Sequence, residues 1–188
     1  MQTAFTGTIP LRGDLRIVMR RADTGEIHWR YEIRNTIVYA ALKGLVNLVA
    51  QKTTLTDPKD YQVAYLRLGT GTTAPVRSNT NLEIPATPQP PDAPSADPYT
   101  IVLGDLNKVL TISNPFEMKI LATLEAGKLN GLALTEAGLF TRGNNLVAQP
   151  PGLYAGYYPE LFARQVHPAI PKSAAFVVDY DWRISFTA

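Results

Sequence analysis

Two histidines and one pair of aspartates carry the most evident chemical potential in this chain of 188 residues. His28 falls on the polar side of an alternating run, and His167 stands beside Pro168. Neither has a second histidine or a carboxylate at metal-ligand spacing, and no H-E-x-x-H or EF-hand pattern occurs. A histidine-dependent serine nucleophile would sit on a strained turn, and no G-x-S-x-G is present. Asp179 and Asp181 are spaced i,i+2 in an alternating segment, which sets both side chains on one face roughly 7 Å apart. That separation falls between those of retaining and inverting glycosidases. Arg183 continues the same row, so the polar face of an amphipathic strand accounts for both carboxylates.

The loop Gly69-Thr70-Gly71-Thr72-Thr73 has the glycines of a phosphate cradle but lacks its lysine. A P-loop continues as Gly-Lys-Ser/Thr into a helix, whereas Ala74-Pro75 follows here, so the segment reads as a turn leaving a strand. The chain has no cysteine, which removes disulfides, thiolate metal sites and cysteine nucleophiles together. These observations lead to the expectation of a protein that is not an enzyme, with no catalytic residue, metal or cofactor.

Composition narrows the partners. Charged residues make up only 18% of the sequence, below the usual quarter, while hydrophobic residues make up 45%. A large uncharged surface suits contact with other proteins. The 18 basic and 16 acidic residues are interspersed, and Arg16, Arg20, Arg21, Arg30 and Arg34 have Asp14, Asp23, Glu26 and Glu32 among them. No lysine- or arginine-rich run offers a footprint for nucleic acid or anionic lipid. The start, Met1-Gln2-Thr3-Ala4-Phe5, lacks the basic and apolar regions of a signal peptide. The longest apolar stretch, near Ile37–Val49, is broken by Lys43 and Asn47 and is too short to span a bilayer.

The elements that must position these residues are mostly strands. Leu15, Ile17 and Met19 alternate with polar neighbours, Asp23-Thr24-Gly25 gives a turn, and Ile27, Trp29, Tyr31 and Ile33 then alternate with His28, Arg30, Glu32 and Arg34. Period-two patterning on both arms of a glycine turn predicts a hairpin. Asn35 stands where an N-cap would, and Thr36–Gln51 takes on helical spacing with a narrow polar stripe at Lys43, Asn47 and Gln51. A helix so apolar requires burial. Further strands are expected at 61–68, 109–112, 116–125, 132–135 and 138–140. The clearest runs through Phe176, Val178, Tyr180, Trp182, Ile184 and Phe186. About seven strands and one helix predict a mainly β fold over 1–188, a single antiparallel β-sandwich domain with one buried α-helix and long extended loops.

Two segments do not fit a core. Six prolines fall between Pro85 and Pro98, among them Pro90, Pro91 and Pro94. Proline fixes φ and donates no hydrogen bond, so 85–98 is expected outside the ladder, as a linker or as an arm on a neighbour. The segment 148–160 sets Leu153, Tyr154, Tyr157 and Tyr158 among Gly and Pro shortly before Phe162. Tyrosine offers a large rigid surface with a polar tip, so these residues are candidate interface positions, or the segment folds back onto its own domain. Glu136 and Arg164 are a candidate pair across the sheet, by charge alone.

The order of several motifs resembles that in a group of bacteriophage virion proteins described as tail, tail-fibre or baseplate-associated. The series is Asn35-Thr36-Ile37-Val38, then Tyr65-Leu66-Arg67-Leu68-Gly69-Thr70-Gly71-Thr72-Thr73-Ala74-Pro75 and Asn79-Thr80-Asn81-Leu82. Next come Leu132-Ala133-Leu134-Thr135-Glu136-Ala137-Gly138-Leu139-Phe140, Leu161-Phe162-Ala163-Arg164 and Ile170-Pro171-Lys172-Ser173, before a closing strand with Trp182, Ile184 and Phe186. The resemblance implies a virion structural subunit of the tail, baseplate or neck/collar, assembled in the host cytoplasm. Its partners would be copies of itself and other virion proteins, with no nucleic acid, membrane or small-molecule substrate. The alternative is a glycan- or receptor-binding β-sandwich, with Tyr154, Tyr157, Tyr158 and Trp29 as stacking platforms.

Overall fold

The computed structural model describes residues 11–39, 41, 62–86, 100–103, 108–111, 116–141 and 160–186. They contain seven long strands: β1 (Leu11–Arg21), β2 (Ile27–Ile37), β3 (Val63–Gly69), β6 (Phe116–Leu124), β7 (Ala133–Thr141), β8 (Leu161–Pro171) and β9 (Phe176–Phe186). Two short strands complete the set, β4 (Thr100–Val102) and β5 (Lys108–Thr111). Every pairing is antiparallel. The protein is therefore mainly β, as its alternating segments require.

The nine strands form one sheet in the order β4-β3-β7-β8-β2-β1-β9-β6-β5. The expected two-layer sandwich is thus replaced, among the described residues, by a single hydrogen-bonded sheet. Its two halves are joined where the end of β2 meets β8, through Thr36 with Arg164 and Ile37 with Ala163. The strands at the two edges, β4 and β5, are consecutive in sequence. Residues 103–107 connect them, a span of at most about 20 Å. A chain that links opposite edges so briefly forces the sheet to curl around its own interior. That interior holds Leu15, Ile17, Leu66, Leu68, Leu103, Ile120, Leu134, Leu139, Val178 and Trp182 in one apolar cluster drawn from both halves.

The hairpin and the closing strand follow their sequence periodicity. β1 buries Leu15, Ile17 and Met19, and β9 buries Val178, Tyr180, Trp182 and Ile184. The two candidate strands at 132–135 and 138–140 are one strand, β7, running unbroken through Glu136 and Ala137. β8 has no clean alternation because both of its faces are covered: Leu161, Phe162, Ala163, Arg164 and Gln165 are all buried.

The N-cap assignment of Asn35 is corrected. Asn35, Thr36 and Ile37 continue β2, and Asn35 sits opposite Gly13 of β1. Oriented to suit its surroundings, the Asn35 amide donates to the Gly13 carbonyl at 2.9 Å and accepts from the Trp182 indole N–H. A Cβ on Gly13 would collide with that amide. The side chain thus satisfies a buried indole instead of a helix terminus. Residues 40 and 42–51 of the expected buried helix lie outside the described residues, as do Pro90, Pro91 and Pro94 of the proline segment and Leu153, Tyr154, Tyr157 and Tyr158.

Candidate functional site

Part of the motif series, namely Gly69, Gly71, Asn79, Leu82, Glu136, Gly138 and Arg164, meets at one place, on the outer face of β3, β7 and β8. Positions 136, 138 and 140 of β7 point outward, while Ala137 and Leu139 point into the core. β8 sets Arg164 opposite Gly138 and Val166 opposite Glu136, so Glu136 and Arg164 are diagonal neighbours on one face. Residues 70–86 then fold over that face. Leu82 packs with Val38, Phe140 and Leu161 in a second apolar cluster, and it lies so close above Gly138 that a Cβ there would stand 2.8 Å from the Leu82 methyl. The guanidinium of Arg67 covers the Phe140 ring at 5.4 Å.

Under this cover Glu136 is 0% exposed and Arg164 1% exposed. Arg164 Nε donates to Glu136 Oε2 at 2.9 Å, and its Nη2 lies 2.9 Å from the same oxygen. Three backbone amides of the covering loop also converge on the carboxylate. Gly71 N–H and Ile84 N–H donate to Oε1 at 3.1 and 2.8 Å, and Glu83 N–H donates to Oε2 at 3.0 Å. The Arg164 Nη1 donates to Asn79 Oδ1 at 3.2 Å, and the same oxygen accepts from Val76 N–H at 2.8 Å. A buried charge is tolerable only when paired and hydrogen-bonded, and this carboxylate has both.

The glycines of the Gly69–Thr73 loop have a steric role here. A Cβ on Gly69 would sit 2.5 Å from Glu136 Oε1 and from the Ile84 carbonyl oxygen, and one on Gly71 would sit 2.6 Å from Oε1. The loop closes on itself as well. Thr70 N–H donates to Ile84 O, Ala86 N–H donates to Leu68 O, and Gly69 and Pro85 are bridged. Pro85 therefore joins a ladder position, contrary to the expectation for 85–98. The donors come from its neighbours, so its missing N–H is not needed. The Thr73 hydroxyl and amide bind Glu83 at 2.6 and 2.7 Å and hold its carboxyl below the usual range.

Lys172, whose role the sequence did not disclose, fastens a second loop. Its ammonium is buried and donates to Ala126 O, Asn130 Oδ1 and Ser173 O at 3.0, 3.1 and 3.0 Å. Burial pulls its pKa below the ordinary lysine value, against the nearby Glu125. The turn it holds contains Leu129 and Gly131, both at positive φ.

The residues weighed for chemistry are engaged elsewhere. Asp179 receives Arg20 Nε at 2.7 Å and the Thr123 hydroxyl at 2.9 Å, while Asp181 lies 3.3 Å from Lys119 and 3.5 Å from Arg183. His28 is exposed with its ring 4.9 Å from that of Phe176. His167 is buried beside Tyr180, its Nδ1 3.0 Å from the Pro168 carbonyl. Its pKa is lowered by burial, against the Pro168 hydrogen bond and Glu136, and burial raises the Tyr180 hydroxyl. Phe162, a candidate interface residue, is instead part of the core, because β8 is packed on both sides. Trp29 stacks on Tyr31 at 5.7 Å and 10°, both half-buried. Among the described residues no cluster of three or more His, Cys, Asp or Glu forms a metal site, and no helix is long and apolar enough to cross a membrane.

No family model, curated protein or solved structure matches the chain.

Proposed function

We propose that the chain is a non-enzymatic structural subunit of a bacteriophage particle, in the tail, baseplate or neck/collar. It acts through contacts with copies of itself and with other virion proteins. One observation carries this reading. Seven residues of the motif series that resembles virion proteins, Gly69, Gly71, Asn79, Leu82, Glu136, Gly138 and Arg164, converge on a single buried fastening. Their polar groups are consumed by holding a loop to a sheet, which is what a rigid building block needs from its charged residues. Asp179 and Asp181, the nearest to a catalytic pair in the sequence, each face cationic side chains, Asp179 half-buried and Asp181 buried.

Quantitative mass spectrometry of density-purified phage particles tests the proposal. The expected result is this chain at a fixed copy number relative to the major capsid protein. Its absence from purified particles, with the protein present in infected cells, would overturn the reading.

A further inference from the structure

The seam between β2 and β8 closes over only two residue pairs, at Thr36 and Ile37. From Ile27 to Asn35 the edge of β2 facing away from β1 meets no other strand among the described residues. Protein edges of this length are ordinarily blunted by proline, by charged side chains, lysine above all, or by bulges. Here there is no proline or lysine, and the one bulge, at His28, lies at the far end. The side chains along the edge are Ile27, which is 50% exposed, and the stacked Trp29 and Tyr31 on one face, with Arg30, Glu32 and Arg34 on the other. Neither Arg30 nor Arg34 takes part in the ion pairs of the described residues. Glu32 reaches Arg16 only at 3.4 Å and its side chain stays 65% exposed.

We propose that β2 pairs antiparallel with β2 of a second copy about a two-fold axis through Tyr31. This inference deepens the assembly reading above and names its contact. Charge selects the register. Two-fold antiparallel pairing sets residues x and y opposite when their numbers sum to a constant, and both must lie on the same face. Centring on Arg30 or Glu32 sets like charges against each other. Centring on Ile33 places Glu32 against Arg34, but it carries Arg30 onto Thr36, which β8 already holds. Centring on Tyr31 places Arg30 against Glu32 twice, Trp29 against Ile33 twice, and Tyr31 against itself, clear of β8. The interface is isologous and closed, the commonest symmetry of soluble oligomers.

Sedimentation of the full chain across the micromolar to sub-millimolar range tests the register by charge exchange. Wild type is expected to dimerise, Arg30→Glu to weaken the dimer by about tenfold or more, and Arg30→Glu with Glu32→Arg to restore it. Arg34→Glu leaves the dimer in place. Arg30 is exposed and unpaired among the described residues, so circular dichroism of Arg30→Glu should match wild type. A wild-type protein that stays monomeric overturns the proposal, as does a dimer indifferent to Arg30→Glu or one broken by Arg34→Glu instead. Incorporation into particles is read separately. A chain that enters particles while the charge exchange has no effect refutes this contact and leaves the virion reading standing.

Discussion

The outer surface of the curled sheet is treated in two opposite ways. Over β3, β7 and β8 the protein lays its own residues 70–86, and the polar side chains beneath, Glu136 and Arg164, are buried and ringed by donors and acceptors. Over β2, β1 and β9 nothing among the described residues is laid. There Arg12, Asp14, Arg16, Glu32, Arg34, Glu117, Asp181 and Arg183 line an open depression of about 430 Å³. Charge in the first region is spent on cohesion within the chain, where a lost partner leaves a desolvated ion. Charge in the second is mostly open to solvent, with Asp181 the buried exception, and its exposed pairs contribute little to folding. The same residue types therefore do different work according to what covers them.

The sharpest way to break this comparison is to remove one partner of the buried pair. Glu136→Ala should destabilise by about 3–5 kcal/mol in urea unfolding, since it strands Arg164 and frees three loop amides. Glu136→Leu with Arg164→Met should cost less than either single change, because no lone charge is left behind. Equal or greater loss in the double variant would remove the burial argument. Next in size, Lys172→Met should cost about 1–3 kcal/mol by leaving the part-buried carbonyls of Ala126 and Ser173 without their donor, measured as a lowered thermal midpoint.

A smaller effect is carried by pH. The folded pKa of His167 lies below its unfolded value because burial disfavours the imidazolium. The unfolded chain therefore binds more protons as pH falls below about 6.5. Stability from this residue is full above that pH and declines as pH drops toward the folded pKa. His167→Gln should flatten that part of the stability profile, measured by unfolding at a series of pH values. At the low end, Arg30→Glu should shift unfolding of the monomer by no more than about 0.5 kcal/mol. A larger shift would erase the contrast between the two regions.

Much of the fold was legible where one face of a strand is buried and the other is wet. β1, β2, β6 and β9 show this as alternation in the sequence. β8 was not legible, because a strand covered on both sides carries no period-two signal. β4 has only three residues, too few to show any pattern. Asn35 misled because asparagine favours helix caps by hydrogen-bonding an orphan N–H, and here the same capacity serves the Trp182 indole. The Glu136–Arg164 pair was accessible as a charge match. Its burial was not, since that depends on a loop arriving from over fifty residues upstream. Lys172 stood in the motif series, but its burial left no signal, because a buried lysine with backbone and amide acceptors looks in sequence like any surface lysine.

Hydrogen–deuterium exchange, read at dilute and concentrated protein, tests the contrast most directly. The expected result is strong protection of the Gly71, Glu83 and Ile84 amides at both concentrations, with the segment 27–35 gaining protection only in the concentrated sample. Rapid exchange of the three loop amides, or a β2 segment with the same protection at both concentrations, would contradict the account.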